Sequence, residues 1–522
     1  MNMSPEYLSP GVYIEEVDRG SKPIEGAGTS VAAFAGFAEK GPINEPTFIP
    51  NWTEFVNNFG GFMKGFYLAS SVFGYFQNGG GRCFITRLPG VGDTKAEPGE
   101  AKAVVALPSQ AQPTIDSLTV SALEAGAAGA QISIEIAKST AEGATDDMFN
   151  LTVHRGDTQE PFENLTLRRG RNVRNVIDVV NRESKLINIA EKESTLSLAE
   201  RTPKPGSYNL SAAPTTAIAK ISSDVITGNA ADRTGIAGFE VTEDVTMVSC
   251  PDLMALYRAG AITMDGVKAV QLAMIAHCEN MKDRFAILDC PPGMTPQQIK
   301  DWRMKETGYD TKYGALYYPW IRIANPLGNG ASILVPPSGH LAGIYARSDN
   351  ERGVHKAPAN EVIRGVMAVE TQITKSEQDI LNPVGINCIR AFPGRGIRVW
   401  GARTLSSDAS WRYINVRRLF NFVEESIQQG TQWIVFEPND QALWARIRRD
   451  ISAFLTTVWR SGALFGLTAA ESFYVKCDEE NNPPALRDLG QVVIEIGLAP
   501  VKPAEFVIFR ISQWAGGGAV AE

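Results

Sequence analysis

Two glycine-rich runs are the residues whose spacing could cradle a phosphate. Gly394-Arg395-Gly396 with Gly401 invites a nucleotide-loop reading. The third glycine is misplaced for G-x-G-x-x-G, no Lys-Ser/Thr pair follows, and the run opens no evident helix. Asn78-Gly79-Gly80-Gly81 likewise lacks a phosphate-binding sequel. The chain has no G-x-S-x-G elbow and no H-E-x-x-H, and scattered Asp, His and Ser arise by chance in 522 residues. The six cysteines (Cys83, Cys250, Cys278, Cys290, Cys388, Cys477) and four histidines (His154, His277, His340, His355) are dispersed, without metal-ligand spacing. Cysteines in such apolar contexts read as small core side chains of a reducing compartment. These residues assign no catalytic group, no metal site and no cofactor. One chemical alternative stays open, an α/β enzyme or ligand-binding protein using the loop at Arg395.

The elements that would position any site are those of a large soluble chain. At 522 residues, about two to four domains are expected. A net charge of -8 argues against a nucleic-acid binder, which normally carries a basic domain. Met1–Gly20 has no basic segment followed by an apolar run, and no stretch reaches the ~20 apolar residues of a spanning helix. Assembly in the bacterial cytoplasm is therefore expected, with no membrane insertion.

Composition changes twice along the chain. Lys95–Thr242 is rich in Ala, Ser, Thr and Gly and lacks Trp and Cys; before Phe239 its only aromatics are Phe149, Phe162 and Tyr208. Such a contrast with both flanks reads as an inserted domain with its own core. Within it Gln131–Lys138 alternates as a half-buried strand, Met148–Val153 and Asn164–Leu167 read as strands, and Asn172–Ile189 reads as a helix. The flanking core is α/β. Asp265–Arg284 is a helix capped at Asp265, followed by the strand Phe285–Leu288. Thr295, Pro296 and Gln298 predict a capping box, and Tyr313–Ile323 and Ala331–Val335 predict strands. Asn415–Gln429 and Asp440–Arg460 are helical in period.

Both ends are extended and apolar. Gly11–Val17 is a short strand-like run containing Val12, Tyr13 and Ile14. Gln491–Leu498 and Glu505–Ser512 are β-prone, and the second carries Phe506, Val507, Ile508, Phe509 and Ile511, apolar on both faces. Such a strand needs a sheet, whether its own or a neighbour's. Burying ~400 Å² of apolar surface contributes roughly 10 kcal/mol. Ordering ~8 residues costs on the order of 8–16 kcal/mol, so one arm alone roughly breaks even.

At these ends, and in the later core, the sequence resembles a known family. Leu8-Ser9-Pro10-Gly11-Val12-Tyr13-Ile14-Glu15-Glu16, Val31–Gly36, Lys40-Gly41-Pro42 and Asn78–Arg87 are similar to the start of the phage tail-sheath family. Gly353-Val354-His355-Lys356-Ala357-Pro358-Ala359-Asn360, Asn382-Pro383, Gly394-Arg395-Gly396, Val399–Thr404 and Trp411–Arg418 resemble its later segments. The likeness is absent from Lys95–Thr242, which in this family is the variable outer part.

The resemblance implies a contractile injection system component, of phage, pyocin or extracellular-particle type. It implies a helical homopolymer of stacked six-subunit rings around an inner tube protein, with baseplate and terminator or cap proteins at its ends. Contraction would drive the tube through a target envelope, and a free particle would be released on lysis. The fold class expected is α/β (α+β) and multidomain. The divisions are an N-terminal arm (1–20), a discontinuous core (21–94 with 245–384), the insert (95–244), a tube-facing C-terminal domain (385–503) and a C-terminal arm (504–522). The arms, through Val12, Tyr13, Ile14, Phe506, Val507, Ile508 and Phe509, would be exchanged between subunits. On Asp440–Arg460, Arg446, Arg449 and Arg460 lie opposite the apolar stripe, a basic face suited to an acidic tube wall.

Overall fold

In the computed structural model, residues 23–511 are described apart from 91–101, 112–115, 126–131, 142, 157, 171–172, 193–196, 213–220 and 329–330. The N-terminal arm residues Val12, Tyr13 and Ile14 lie outside the described residues. The chain forms two compact units, Met1–Pro89 with Ser222–Glu522, and Gly90–Ile221.

The first unit is built on an eight-stranded sheet. Its strands are β1 (Ala32–Gly36), β2 (Thr47–Ile49), β3 (Cys83–Arg87), β4 (Met247–Ser249), β5 (Phe285–Asp289), β6 (Gly314–Tyr318), β7 (Ile386–Phe392) and β8 (Gly396–Val399). The spatial order is β8-β7-β6-β5-β4-β1-β3-β2. The six middle strands run parallel, with one antiparallel strand at each edge. Every residue of β1, β5 and β6 is buried, as parallel strands covered on both faces require. Helices packing on this sheet include α1 (Leu68–Gln77), α2 (Met264–Met281) and α3 (Ser338–Arg352). α1 and α3 approach at backbone distance, because a Cβ at Gly343 would lie 2.4 Å from the Tyr75 carbonyl oxygen.

Helix boundaries follow their caps. α2 begins after Thr263, whose side chain accepts from the Gly266 N–H, so Asp265 sits in the first turn and is not the cap. The capping box expected at Thr295 and Gln298 is present. Tyr313–Ile323 is not one strand: β6 ends at Tyr318, and Ile321–Ala324 joins a separate three-stranded sheet with Ser332–Val335 and Val366–Val369.

The second unit, Gly90–Ile221, holds two four-stranded sheets. One pairs Gly206–Asn209, Ile132–Lys138, Met148–Arg155 and Thr158–Thr166; the other pairs Ser211–Ala212, Lys102–Pro108, Asp116–Ala125 and Ile187–Glu191. Ile132, Ile134 and Ile136 are buried in one core with Leu118, Val120, Leu151 and Val153. The helix here is shorter than its apolar spacing suggests. It spans Val176–Glu183 under an Asn175 cap, and Ile187–Glu191 leaves it to pair with Leu118–Ala122. Ile187 and Ile189, two residues apart, share one face of a strand but not of a helix, and pairing with Ala122 and Val120 places them in the sheet.

Two divisions read from composition shift. Residues 222–244 belong to the first unit, where the buried Arg284 donates to the carbonyls of Phe239 (2.9 Å) and Thr242 (3.0 Å). The expected break at 384/385 falls inside the main sheet, because β7 pairs with β6 through Leu316↔Ile386 and Tyr318↔Cys388. The C-terminal part proper begins at α4 (Ile414–Gly430), followed by α5 (Gln441–Arg460) and an antiparallel hairpin of β9 (Phe473–Lys476) and β10 (Glu495–Leu498).

Candidate functional site

The glycine-rich runs do not form a phosphate cradle. Phe392 pairs with Gly396 across the β7–β8 hairpin, so Pro393-Gly394-Arg395 is its turn. Gly394 (φ +69°) and Gly396 (φ +77°) supply the positive φ that this turn needs. The Arg395 guanidinium lies over its own hairpin, 5.0 Å from the Phe392 ring centroid. Asn78-Gly79-Gly80-Gly81 ends α1, and the buried Asn78 side chain ties that end to residue 364. It accepts from the Arg364 N–H (2.8 Å) and donates to the Arg364 carbonyl (3.2 Å).

The place where a doubly wound sheet would hold a ligand is filled by the protein itself. That place is the crevice at the carboxyl ends of β1 and β4, where the strand order reverses. Asp252 follows β4 there, and its carboxylate accepts from the N–H groups of Phe37 (2.7 Å), Tyr67 and Leu68 (3.2 Å) at the start of α1. A Cβ at Gly36 would stand 2.7 Å from this carboxylate. Asp289 does the same for α3, accepting from Ser338 N–H (2.9 Å) and Oγ (2.6 Å). Burial pushes both carboxyls up, Asp252 to about 6 and Asp289 to about 7, against the lowering effect of those bonds. The helix N-termini that could bind an external anion thus hold internal carboxylates.

All six cysteines are buried and unpaired with one another, and burial raises each thiol above its ordinary range. Among the described residues no group of His, Cys, Asp and Glu is placed to hold a metal ion. No described helix is long and apolar enough to cross a membrane.

What the C-terminal part offers is an incomplete sheet. β9 and β10 pair only with each other among the described strands, through Phe473↔Leu498 to Lys476↔Glu495. A two-stranded ribbon is marginal unless something packs on it. Here Phe473, Val475, Ile496 and Leu498 pack on a core formed by Leu443, Trp444, Ile447, Ile451 and Leu455 of α5 with Leu419 and Val423 of α4. Beyond β10, Ala499 N–H donates to the Ser472 carbonyl (2.9 Å), and Val501 N–H donates to Ala463 (3.2 Å). Glu505 is then gripped by Arg403, Asn382 and Tyr413.

After Glu505 the chain leaves its own fold. Glu505–Ser512 was expected as a strand, but residues 505–511 form none within this chain. Phe506, Val507, Ile508, Phe509 and Ile511 are 69 to 93% exposed. Among the described residues no strand pairs with this run, so its ladder groups are left unpaired there.

The α5 stripe is as expected: Leu443, Trp444, Ile447, Ile451, Phe454, Leu455 and Val458 are all buried. The arginines face away from it, yet two are already engaged. Arg446 lies 3.1 Å from Glu437 and stacks over Trp433, and Arg449 lies 3.0 Å from Asp450. Arg460 is exposed at the helix end. Sequence periodicity found the face and could not find the neighbouring acids.

The C-terminal helices are fastened to the main sheet's helices by a buried ion pair. Arg418 of α4 meets Asp349 of α3 through two bonds of 2.9 and 2.7 Å, donates to the Thr29 carbonyl (2.8 Å) and stacks over Tyr345. Both side chains are almost wholly buried. Twin arginines in Trp411–Arg418 gave no sequence signal of this role, since periodicity alone would put a charge on the solvent side.

Comparison with known proteins converges on one group. The phage tail sheath protein central domain matches residues 202–405, and the phage tail sheath C-terminal domain matches residues 406–513, together more than half of the chain. The tail sheath protein of Vibrio phage KVP40 is 27% identical over 289 residues, covering 52% of this chain and 40% of that protein. A putative prophage major tail sheath protein of Pseudomonas aeruginosa is 26% identical over 47% of this chain and 63% of its own length. The chain thus spans between two fifths and two thirds of these relatives. The cryo-EM structure of the anti-feeding prophage helical sheath in its contracted state superposes with a TM-score of 0.58 at 25% identity, covering 97% of this chain and 99% of that one.

Proposed function

The chain belongs to the phage tail sheath family, and from that premise we propose that it is the structural subunit of a contractile sheath in a phage tail or tail-like particle. Copies polymerise helically as stacked six-membered rings around an inner tube, and contraction drives the tube through a target envelope. Baseplate and terminator proteins close the ends. Assembly takes place in the bacterial cytoplasm.

One observation supports this reading: among the described strands a two-stranded sheet pairs with no third strand, and the same chain carries a solvated apolar run, Phe506–Ile511. Each is half of a β-augmentation contact, and identical copies supply the other half. Val12, Tyr13 and Ile14 form the second arm in this account. Because one arm roughly breaks even, two arms docking on preformed edges favour polymer over dimer. The Arg418–Asp349 pair lets the C-terminal part and the main sheet move as one body during contraction. Arg446, Arg449 and Arg460 face the tube. Their partial pairing with Glu437 and Asp450 makes that attraction weak and salt-sensitive, as a sliding contact requires.

The enzymatic alternative at Arg395 finds no support, since that loop is a hairpin turn and the family is structural. Negative-stain electron microscopy of the purified chain, with and without residues 506–522, tests the proposal. Hollow striated tubes that vanish on truncation are expected. Monodisperse particles from the full chain, alone and with its co-expressed tube, would contradict it.

A further inference from the structure

The exposed run after Glu505 begins at a built carboxylate site. Glu505 Oε1 accepts from Arg403 Nε (2.8 Å) and Asn382 Nδ2 (2.7 Å). Its Oε2 accepts from Arg403 Nη2 (2.7 Å) and Tyr413 Oη (2.9 Å). Both oxygens are doubly satisfied, and the arginine meets them with its planar fork.

The donors are themselves fixed to the main sheet. Asn387 of β7 holds Arg403 at both backbone groups, accepting from its N–H (2.7 Å) and donating to its carbonyl (2.7 Å). Arg403 also bridges to Tyr413, and its Nη1 donates to the Asn382 carbonyl (3.3 Å). Asn387 is fully buried and donates to Leu316 of β6. The receptor is therefore an extension of the sheet's backbone rather than a chance meeting of surface side chains.

We propose that Glu505 is the tether of the C-terminal arm, fixing where Phe506–Ile511 leaves the subunit and passing a pull on a donated arm into the main sheet. The inference rests on the arm reading above and adds the residues that anchor it. Upstream, Val501 is already held through Ala463 and through Asn415 Nδ2, which donates to its carbonyl (3.2 Å). Pro503 restricts the chain between those bonds and Glu505. Downstream, Phe506–Ile511 is solvated. The boundary between held and free chain thus falls at one ionised side chain. A strand that must reach a neighbour's edge in register needs its origin fixed, because a one-residue slip turns every side chain to the wrong face. The four donors hold the Glu505 carboxyl below its usual range against its own burial, so it stays charged.

The test uses the full chain, with polymer measured by sedimentation and electron microscopy and the unassembled subunit by thermal melting. Glu505→Gln removes the charge and keeps the shape. It should raise the critical concentration for sheath formation at least about tenfold, with the subunit's melting temperature moved by only a few degrees. Arg403→Lys, which keeps the charge and loses the fork, should act in the same direction. The exchange Glu505→Arg with Arg403→Glu should recover part of the loss, which a purely local packing role would not do. Truncation after Glu505 separates the two ideas. If truncation abolishes tubes while Glu505→Gln assembles at the wild-type concentration, the tether is overturned and the arm stands. If truncation leaves assembly intact, the arm reading fails and the tether with it.

Discussion

The unit Gly90–Ile221 and the hairpin β9–β10 are both antiparallel sheet, and they cover their apolar residues in different ways. In the former, eight strands pair into two four-stranded sheets over a shared apolar core, and Leu118, Val120, Ile134 and Leu151 are wholly buried. In the latter, two strands lie on α4 and α5 with no third strand paired to them among the described residues, and the apolar run that follows is largely exposed. Two sheets that share a core bury their apolar faces within one chain. In the proposed polymer, the hairpin and the exposed run find their partners on neighbouring copies. The contrast then separates the part that assembly requires from the part that can vary.

The largest effect expected from breaking this contrast is at the open end. Deleting residues 506–522 should abolish tube formation while leaving the subunit's melting temperature nearly unchanged, since Phe506–Ile511 is largely exposed within the chain. Sedimentation and calorimetry on the same samples check both halves of that statement. Next is the join between the C-terminal part and the main sheet. Arg418→Met strands the buried Asp349 carboxylate and should lower stability by about 3–5 kcal/mol in denaturant titration. Double reversal of Arg446 and Arg449 to Glu should weaken tube-templated assembly several-fold at low salt, with the difference shrinking as salt rises. Normal length control on tubes would remove the tube-facing role.

A smaller effect is expected with pH. Asp289 has its carboxyl raised to about 7 in the fold, whereas an unfolded Asp titrates near 3.9. Between those values the folded state binds the extra proton, so this group's contribution is present at low pH and is lost as pH rises towards about 7. Asp289→Asn should flatten that part of the stability profile relative to wild type, as measured by chemical denaturation across pH 4–8. The smallest effect belongs to the unit Gly90–Ile221. Its two ends meet, with a Cβ at Gly90 lying 3.1 Å from Ile221, so a short glycine linker can join Pro89 to Ser222. The excised chain should assemble like the full one. Loss of assembly would show that the unit is part of the polymer contact after all.

The layered core was legible where period and cap agreed. The capping box at Thr295 and the buried stripe of Leu443, Ile447, Ile451 and Val458 needed only local rules. Ile187 misled because it lies seven residues after Val180, on the helical period, and pairing with Leu118–Ala122 settles the matter. The insert's C-terminal limit was set too late, at 244, because composition does not register Arg284 reaching Phe239 and Thr242. The basic face on α5 was visible, while Glu437 and Asp450 beside it were not. Glu505, Arg403, Asn382 and Tyr413 are up to 123 residues apart in sequence, and no local pattern could bring them together. Its one legible trace was a lone carboxylate at the head of an apolar run.

Amide hydrogen exchange of residues 506–511, in the unassembled subunit and in the polymer, tests strand donation most directly. The account predicts exchange at nearly the free-peptide rate in the subunit, and strong protection alternating with ladder bonding in the polymer. Protection already present in the subunit, or rapid exchange persisting in intact sheaths, would contradict it.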